Sequence, residues 1–272
     1  MDRFLRASVL CLLAATLGAA WLGALAGCAS SDRETLVGPR TLTSPYAPES
    51  GEVVWAVAPL RNESGVSFAD TAALSDKLVA AAEGVQGIRA IPLNRTIAAM
   101  RALEMPGVRS PADARRLAQA LGVDAVIVGS LTAYDPYTPT IGLALALYPR
   151  PDAMAGAAPA LRPRELGVSP SDGAPLTPGP SPRNPDDPRS TASLILDAKN
   201  HQVQMDVRSY AEGRIKGESA LGWRRYMASM DLYSEFAAFR GIEELVRQEW
   251  VRGAFAQPGL RADGVDAGGR MR

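Results

Sequence analysis

Short apolar runs alternate with helical stripes along the middle of the chain, and their order predicts the architecture. Val53-Val54-Trp55-Ala56-Val57-Ala58-Pro59-Leu60 lies between turn residues and has the pattern of a strand buried on both faces. A polar loop, Arg61 to Gly65, leads to a helix from about Ala69 to Glu83, with Leu74, Leu78 and Ala81/Ala82 on one face and Gly84 as its stop. Ile88 to Leu93 predicts a second strand. Asn94 is the expected cap of a helix through Met105, which Pro106 and Gly107 end. Ser110-Pro111-Ala112-Asp113 is a stronger start signal, with a capping serine, a proline at the first helical position and an acid in the first turn. That helix should stop at Gly122, and Asp124 to Leu131 should form the third strand.

Beyond it, Thr140 to Tyr148 alternates large and small residues with period two, so it is also expected to be a strand. Strand character returns at Ser193 to Leu196, and Asp197 to His201 is expected to turn the chain into a hairpin whose second arm is Gln202 to Tyr210. A long helix from about Arg225 to Arg252 carries Leu232, Phe236, Phe239, Ile242, Val246 and Trp250 at three- or four-residue steps. The predicted fold class is α/β, with α+β as the alternative. It comprises a mixed sheet of about five to six strands with helices packed on it, plus a C-terminal amphipathic aromatic helix.

The ends and one internal stretch follow different rules. Arg3 and Arg6 precede an uncharged run, Ala7 to Ala26, that ends in Leu25-Ala26-Gly27-Cys28. This resembles a bacterial lipoprotein signal. Leu25, Ala26 and Gly27 would be read by the signal peptidase, and the Cys28 thiol would take the diacylglycerol and acyl (palmitate-type) groups. An uncleaved membrane helix and ordinary cleavage are the alternatives. With residues 1–27 removed, Cys11 leaves with the signal and no intramolecular disulfide is possible. Ala29 and Ser30 follow the cysteine where an aspartate would favour inner-membrane retention, so the expected location is the cell envelope, facing the periplasm, with the outer membrane favoured.

Residues 28–51 are rich in Ser, Thr, Pro and Gly and are expected to form a flexible tether, about 80 Å long when extended. The α/β domain is expected in two parts, 52–148 and 190–256. Residues 149–189, with 11 of the chain's 21 prolines, form an expected disordered insertion between them, and 257–272 an expected disordered tail.

Composition then narrows the chemistry. Among 272 residues, 29 basic and 29 acidic side chains cancel, which removes the basic footprint expected of a nucleic-acid binder. One histidine, His201, and two cysteines leave no zinc centre and no nucleophile–histidine pair to draw. No phosphate-cradling glycine loop and no nucleophile elbow occurs, and His201 is expected to be an exposed turn residue. No cofactor, metal or enzymatic activity is expected. Two places suggest recognition instead. Tyr134-Asp135-Pro136-Tyr137 sits at the end of a strand, where the plainer reading is a turn with its rings packed on the sheet and the other is a recognition cluster. Phe236 and Phe239 on the final helix dock on the sheet in the plainer reading and bind a partner in the other.

Ala56-Val57-Ala58-Pro59-Leu60-Arg61-Asn62 and the later Ala118-Gln119-Ala120-Leu121-Gly122-Val123-Asp124-Ala125-Val126-Ile127-Val128-Gly129-Ser130 carry a resemblance. They are similar to the envelope α/β domain shared by the curli-secretion lipoprotein (CsgG), the penicillin-binding-protein activator lipoprotein (LpoB) and the TolB amino-terminal domain. Asp197-Ala198-Lys199 is similar to a turn of that group. The likeness covers roughly Val53 to Arg208 and describes a helix packed on a sheet, so it speaks for fold more than task. Together with the lipobox, the tether and the empty motif search, it leads to the expectation of a lipid-anchored, non-catalytic scaffold binding an envelope protein partner. The alternatives are a homo-oligomeric curli-type secretion channel and a small-ligand-binding envelope protein.

Overall fold

The computed structural model describes residues 38–46, 51–150, 153, 187–215 and 220–256, all within the second of the two units into which the chain divides, Gly38–Arg272. The lipoprotein signal with Leu25, Ala26, Gly27 and Cys28, nearly all of the proline-rich insertion and the tail from residue 257 lie outside the described residues.

The elements follow as β1 (Leu42–Thr43), β2 (Val53–Val57), β3 (Arg61–Asn62), α1 (Thr71–Glu83), β4 (Val85–Gln86), β5 (Ile88–Ala90), α2 (Leu93–Ala102) and α3 (Pro111–Leu121). After them come β6 (Ala125–Asp135), β7 (Thr140–Pro149), β8 (Ser190–Asp197), α4 (His201–Ala211), α5 (Arg225–Ala228) and α6 (Met230–Ala256). Six strands make one mixed sheet in the order β5-β2-β6-β7-β8, with β3 also paired to β6. The first half is parallel, with Val53 beside Ile88 and Trp55 beside Ala125. The second half is antiparallel, from Ala125 beside Pro149 to Leu147 beside Ser190. The expected α/β class and mixed sheet are what the chain forms.

Local chemistry explains the boundaries. Ser110 Oγ accepts the Asp113 amide at 3.1 Å, while the Asp113 carboxylate accepts the Ser110 amide at 3.0 Å, a reciprocal cap that starts α3. Gly122 ends it at φ 66°, a left-handed conformation that favours glycine. Asp70, not Ala69, starts α1 by accepting the Ala73 amide. The helix expected from Asn94 instead begins at Leu93, with Pro92 at the N-cap position and no side-chain cap, and Leu93, Thr96 and Met100 are its buried residues.

Two expectations fail for a physical reason. Gln202 to Tyr210 is the helix α4 and not a hairpin arm. Val203, Met205 and Val207 alternate as in a strand, but Val203, Val207 and Tyr210 also share a helical face, and it is these three that are buried. Asn200 settles the choice by accepting the Gln202 amide at 2.8 Å as a helix cap. The tether also ends earlier than expected. Leu42–Thr43 pairs with Val85–Gln86, and Ser44 and Tyr46 are buried, so residues 38–46 form a docked strap. The long aromatic helix is divided by the extended backbone of Ser229.

Helices cover the sheet unequally. On one face, α1, α4 and α6 bury Leu78, Val207, Tyr233, Phe236, Ile242 and Leu245 against Trp55, Ile127, Leu131 and the large residues of β7. On the other, α2 and α3 bury Met100, Ala114 and Leu117 against Ala56, Ala58 and Val126. Toward β7 and β8 this second layer thins to the start of α3, where Tyr148 packs, and Ile195 on β8 is 73% exposed. Gly241 lets α6 approach the sheet closely, because a Cβ there would lie 2.8 Å from Leu145 Cδ1.

One buried carboxylate joins segments far apart in sequence. The Glu249 side chain is fully buried and accepts Tyr46 Oη at 3.0 Å and Arg189 Nε at 2.8 Å, with Arg252 on the same carboxylate. Burial alone would raise the Glu249 pKa, but Arg189 and Arg252 outweigh it and hold the carboxyl below its usual range. Burial, with Glu249 beside it, pushes the Tyr46 hydroxyl well above its ordinary value.

Because Glu249 titrates lower in the folded chain than unfolded, its contribution is complete above the unfolded value of about 4.3 and fades as pH falls through the lower folded value. Glu249→Gln removes the negative charge that faces the buried Arg189 and the half-buried Arg252 and is expected to cost about 3 kcal/mol at pH 7. Urea unfolding at pH 7 and pH 3 should show the wild type losing more stability on acidification than the variant. Gly241→Ala should cost about 1–3 kcal/mol by the same measurement, through overpacking against Leu145.

Candidate docking surface

At the end of β6, the strand outlasts the helices beside it and closes with β7 in a short turn. Asp135 Oδ1 accepts the amides of Tyr137 at 2.9 Å and Thr138 at 3.2 Å, and Thr140 Oγ1 donates to the Thr138 carbonyl at 2.9 Å. Asp135 is therefore committed to its own turn, whereas Tyr137 stands 92% exposed at the tip. Tyr134 is half-buried against the core and meets the Phe68 ring edge-on, with centroids 6.2 Å apart.

Phe68 is 67% exposed and belongs to the loop from Arg61 to Ala69. Asn62 shapes that loop, accepting the Ser64 amide and hydroxyl and donating to the Val66 carbonyl at 2.8 Å. Tyr134 at the end of β6, Tyr137 in the turn after it and Phe68 in the neighbouring loop thus stand at one end of the sheet. Phe68 was not among the residues singled out by sequence. Its signal was a large aromatic residue in an otherwise polar loop just before the Asp70 cap.

The other aromatic candidates are interior. Phe236 is fully buried and Phe239 is 8% exposed. Tyr210 packs on both, with centroids 5.7 and 4.9 Å away, and on Tyr226 at 5.4 Å. The Arg214 guanidinium covers the Tyr210 ring at 4.1 Å. Burial raises the Tyr210 hydroxyl to about 12, against the pull of Arg214. Neither phenylalanine presents a surface to a partner, so the sheet-docking reading of the final helix holds and the partner-binding reading is withdrawn. His201 lies exposed in the first turn of α4.

A shallow cleft of about 350 Å³ lies between the small-residue side of β7, β8 and the start of α3, lined by Arg61, Arg109, Ser110, Ser130, Ala144 and Ser193 among others. Its chemistry is largely spent internally. Arg61 pairs with Glu63 at 2.9 Å, and the Ser110 and Asp113 amides serve the α3 cap. Among the described residues no group of three or more His, Cys, Asp or Glu is placed to hold a metal ion, and no helix is long and apolar enough to cross a membrane.

No protein-family description matches the chain, and no curated protein does. Solved structures do. Lipoprotein GNA1162 from Neisseria meningitidis matches at 15% identity and a TM-score of 0.33, over 56% of this chain and 89% of its own. The LpoB C-terminal domain from Escherichia coli matches at 18% and 0.28, over 36% and 73%. The hypothetical protein CT253 from Chlamydia trachomatis matches at 11% and 0.33, over 74% and 95%. A lipoprotein and LpoB, the latter a member of the group the sequence motifs resemble, are thus among the matched structures. No family assignment follows from likenesses of this size.

The burial contrast is directly measurable. Phe236→Ala should cost about 3–5 kcal/mol in denaturant unfolding. Tyr137→Ala should stay within about 0.5 kcal/mol of wild type, because its ring touches little.

Proposed function

We propose that this protein is a lipid-anchored, non-catalytic accessory protein of the bacterial cell envelope that binds a protein partner through the Phe68–Tyr134–Tyr137 tip. The observation that carries the reading is the exposure of two large aromatic rings, Phe68 and Tyr137, at the end of the sheet away from the strap. The strap joins β4, whose following residue Gly87 accepts the Val53 amide at 3.1 Å where β2 begins. Ala125 lies level with Trp55 near that end, and Tyr134 is nine residues further along β6, on the order of 30 Å away at ~3.3 Å per residue. Exposed tyrosine and phenylalanine on rigid turns are well suited to fill pockets of a partner at small entropic cost.

The anchor half of the proposal rests on Leu25-Ala26-Gly27-Cys28 after an uncharged run, with the diacylglycerol and acyl groups on Cys28. Periplasmic orientation, with the outer membrane favoured, follows from the residues after Cys28. The curli-type channel has less support, because β6 and β7, at 11 and 10 residues the strands long enough to consider for spanning, have their large apolar side chains buried under helices of the same domain, the face a spanning strand would turn to lipid.

The test places a photo-crosslinking amino acid at Tyr137 and, as a control, at the exposed Gln119 on α3, in the lipidated protein in its own envelope. A single adduct of fixed mass from position 137, absent from position 119 and lost on Phe68→Ser, is the expected outcome. Adducts of equal yield from both positions, or an adduct untouched by Phe68→Ser, would refute the tip as the docking surface. Cys28→Ser should release the protein from the membrane fraction, and retention there would remove the lipid anchor from the proposal.

A further inference from the structure

We infer that residues 38–46 are a releasable latch that sets how far the domain can stand from its lipid; the inference rests on the lipid-anchor reading above. The contacts of the strap are graded from its free end inward. Arg40 meets Glu243 at 2.6 Å, and its carbonyl accepts Arg214 Nη2 at 3.0 Å, but its own side chain is 55% exposed. Next, the Thr43 carbonyl accepts Trp250 Nε1 at 2.9 Å, and the Ser44 amide donates to the Gln86 carbonyl at 2.9 Å. Tyr46 comes last, 6% exposed, edge-on to Trp55 at 6.4 Å and bonded to Glu249.

A pull from the amino-terminal side meets these contacts one at a time, the weak and solvated ones first. Nor does release strand a charge. When Tyr46 leaves, the Glu249 carboxylate keeps Arg189 and Arg252. The two-residue pairing of β1 with β4 is too short to be stable alone, so the buried ring of Tyr46 is the element that closes the latch.

The consequence is a change of reach. With the strap docked, the ten steps from Cys28 to Gly38 span at most about 35 Å; with it released, Cys28 to Glu52 spans at most about 80 Å. The latch therefore gives a single chain a short and a long radius of action, which suits an accessory protein whose partner stands away from the lipid surface.

The test uses the full lipidated protein on lipid nanodiscs carrying an acceptor dye, with a donor on the thiol of a Gln119→Cys variant, alongside hydrogen exchange of the same sample. Wild type should give high transfer and strap amides (Leu42 to Ser44) that exchange at least 100-fold faster than those of Ile141 to Leu147. Tyr46→Ala should lower transfer and remove strap protection while leaving β7 exchange within about 3-fold. Ser44→Pro is the second variant, since it removes the amide that donates to the Gln86 carbonyl and so loosens the strap without touching Glu249. Strap amides exchanging in step with β7, or transfer unchanged in both variants, would overturn the latch. Failure of the wild type to bind nanodiscs at all would instead overturn the anchor reading, while the exchange data would still report on the strap.

Discussion

The Glu249 carboxylate is the constraint on which the assembly of this domain turns. A fully buried charge is tolerated only where opposite charges and hydrogen bonds replace water, and here the replacements come from two distant segments and from the same helix. Tyr46 arrives from the strap, Arg189 from the residue before β8, and Arg252 from the next turn of the same helix. Packing of greasy surfaces would hold α6 on the sheet at many neighbouring settings. The carboxylate selects the one in which the strap, the start of β8 and the end of α6 coincide. Gly241 completes the setting by removing the side chain that would hold the helix off β7.

Where sequence and structure agree, the signal was local and redundant. The Ser110-Pro111-Asp113 start and the Gly122 stop each fix a helix end through bonds within a few residues, so α3 was legible without any knowledge of what it packs on. The strands β2, β6 and β7 were legible because burial on one or both faces writes itself as apolar runs or period two. Gln202 to Tyr210 was ambiguous because its apolar residues satisfy both periods, and only the Asn200 cap and the packing of Tyr210 on Phe236 and Phe239 distinguish them. The strap was illegible for another reason. Its sequence is polar and irregular, and its fixed position comes from partners 40 to 200 residues away, Gln86, Trp250 and Glu249.

The candidate site divides the same way. The Tyr134–Tyr137 turn was visible as a cluster at a strand end, and the structure keeps it on the surface. Phe236 and Phe239 show why an aromatic stripe is poor evidence for a partner, since a helix with rings at three- and four-residue steps is what a sheet of Leu and Ile requires as its cover. Phe68 could be recognised only once β3 laid its loop beside β6 and brought the ring to Tyr134.

What separates the tip from ordinary exposed residues is the state of the groups around it. A single exposed aromatic ring needs no explanation. Here Asp135 already saturates the turn amides and Asn62 already closes the neighbouring loop, so the backbone at this end of the sheet is complete without Tyr137 or Phe68. Tyr137 is thus held by a turn that has no structural use for it, Phe68 meets Tyr134 with one edge and leaves 67% of its surface to solvent, and the strap docks on the opposite end of the sheet. A domain built this way holds its amino-terminal strap and its aromatic tip at two ends of the sheet, with the buried carboxylate fixing the strap at one of them.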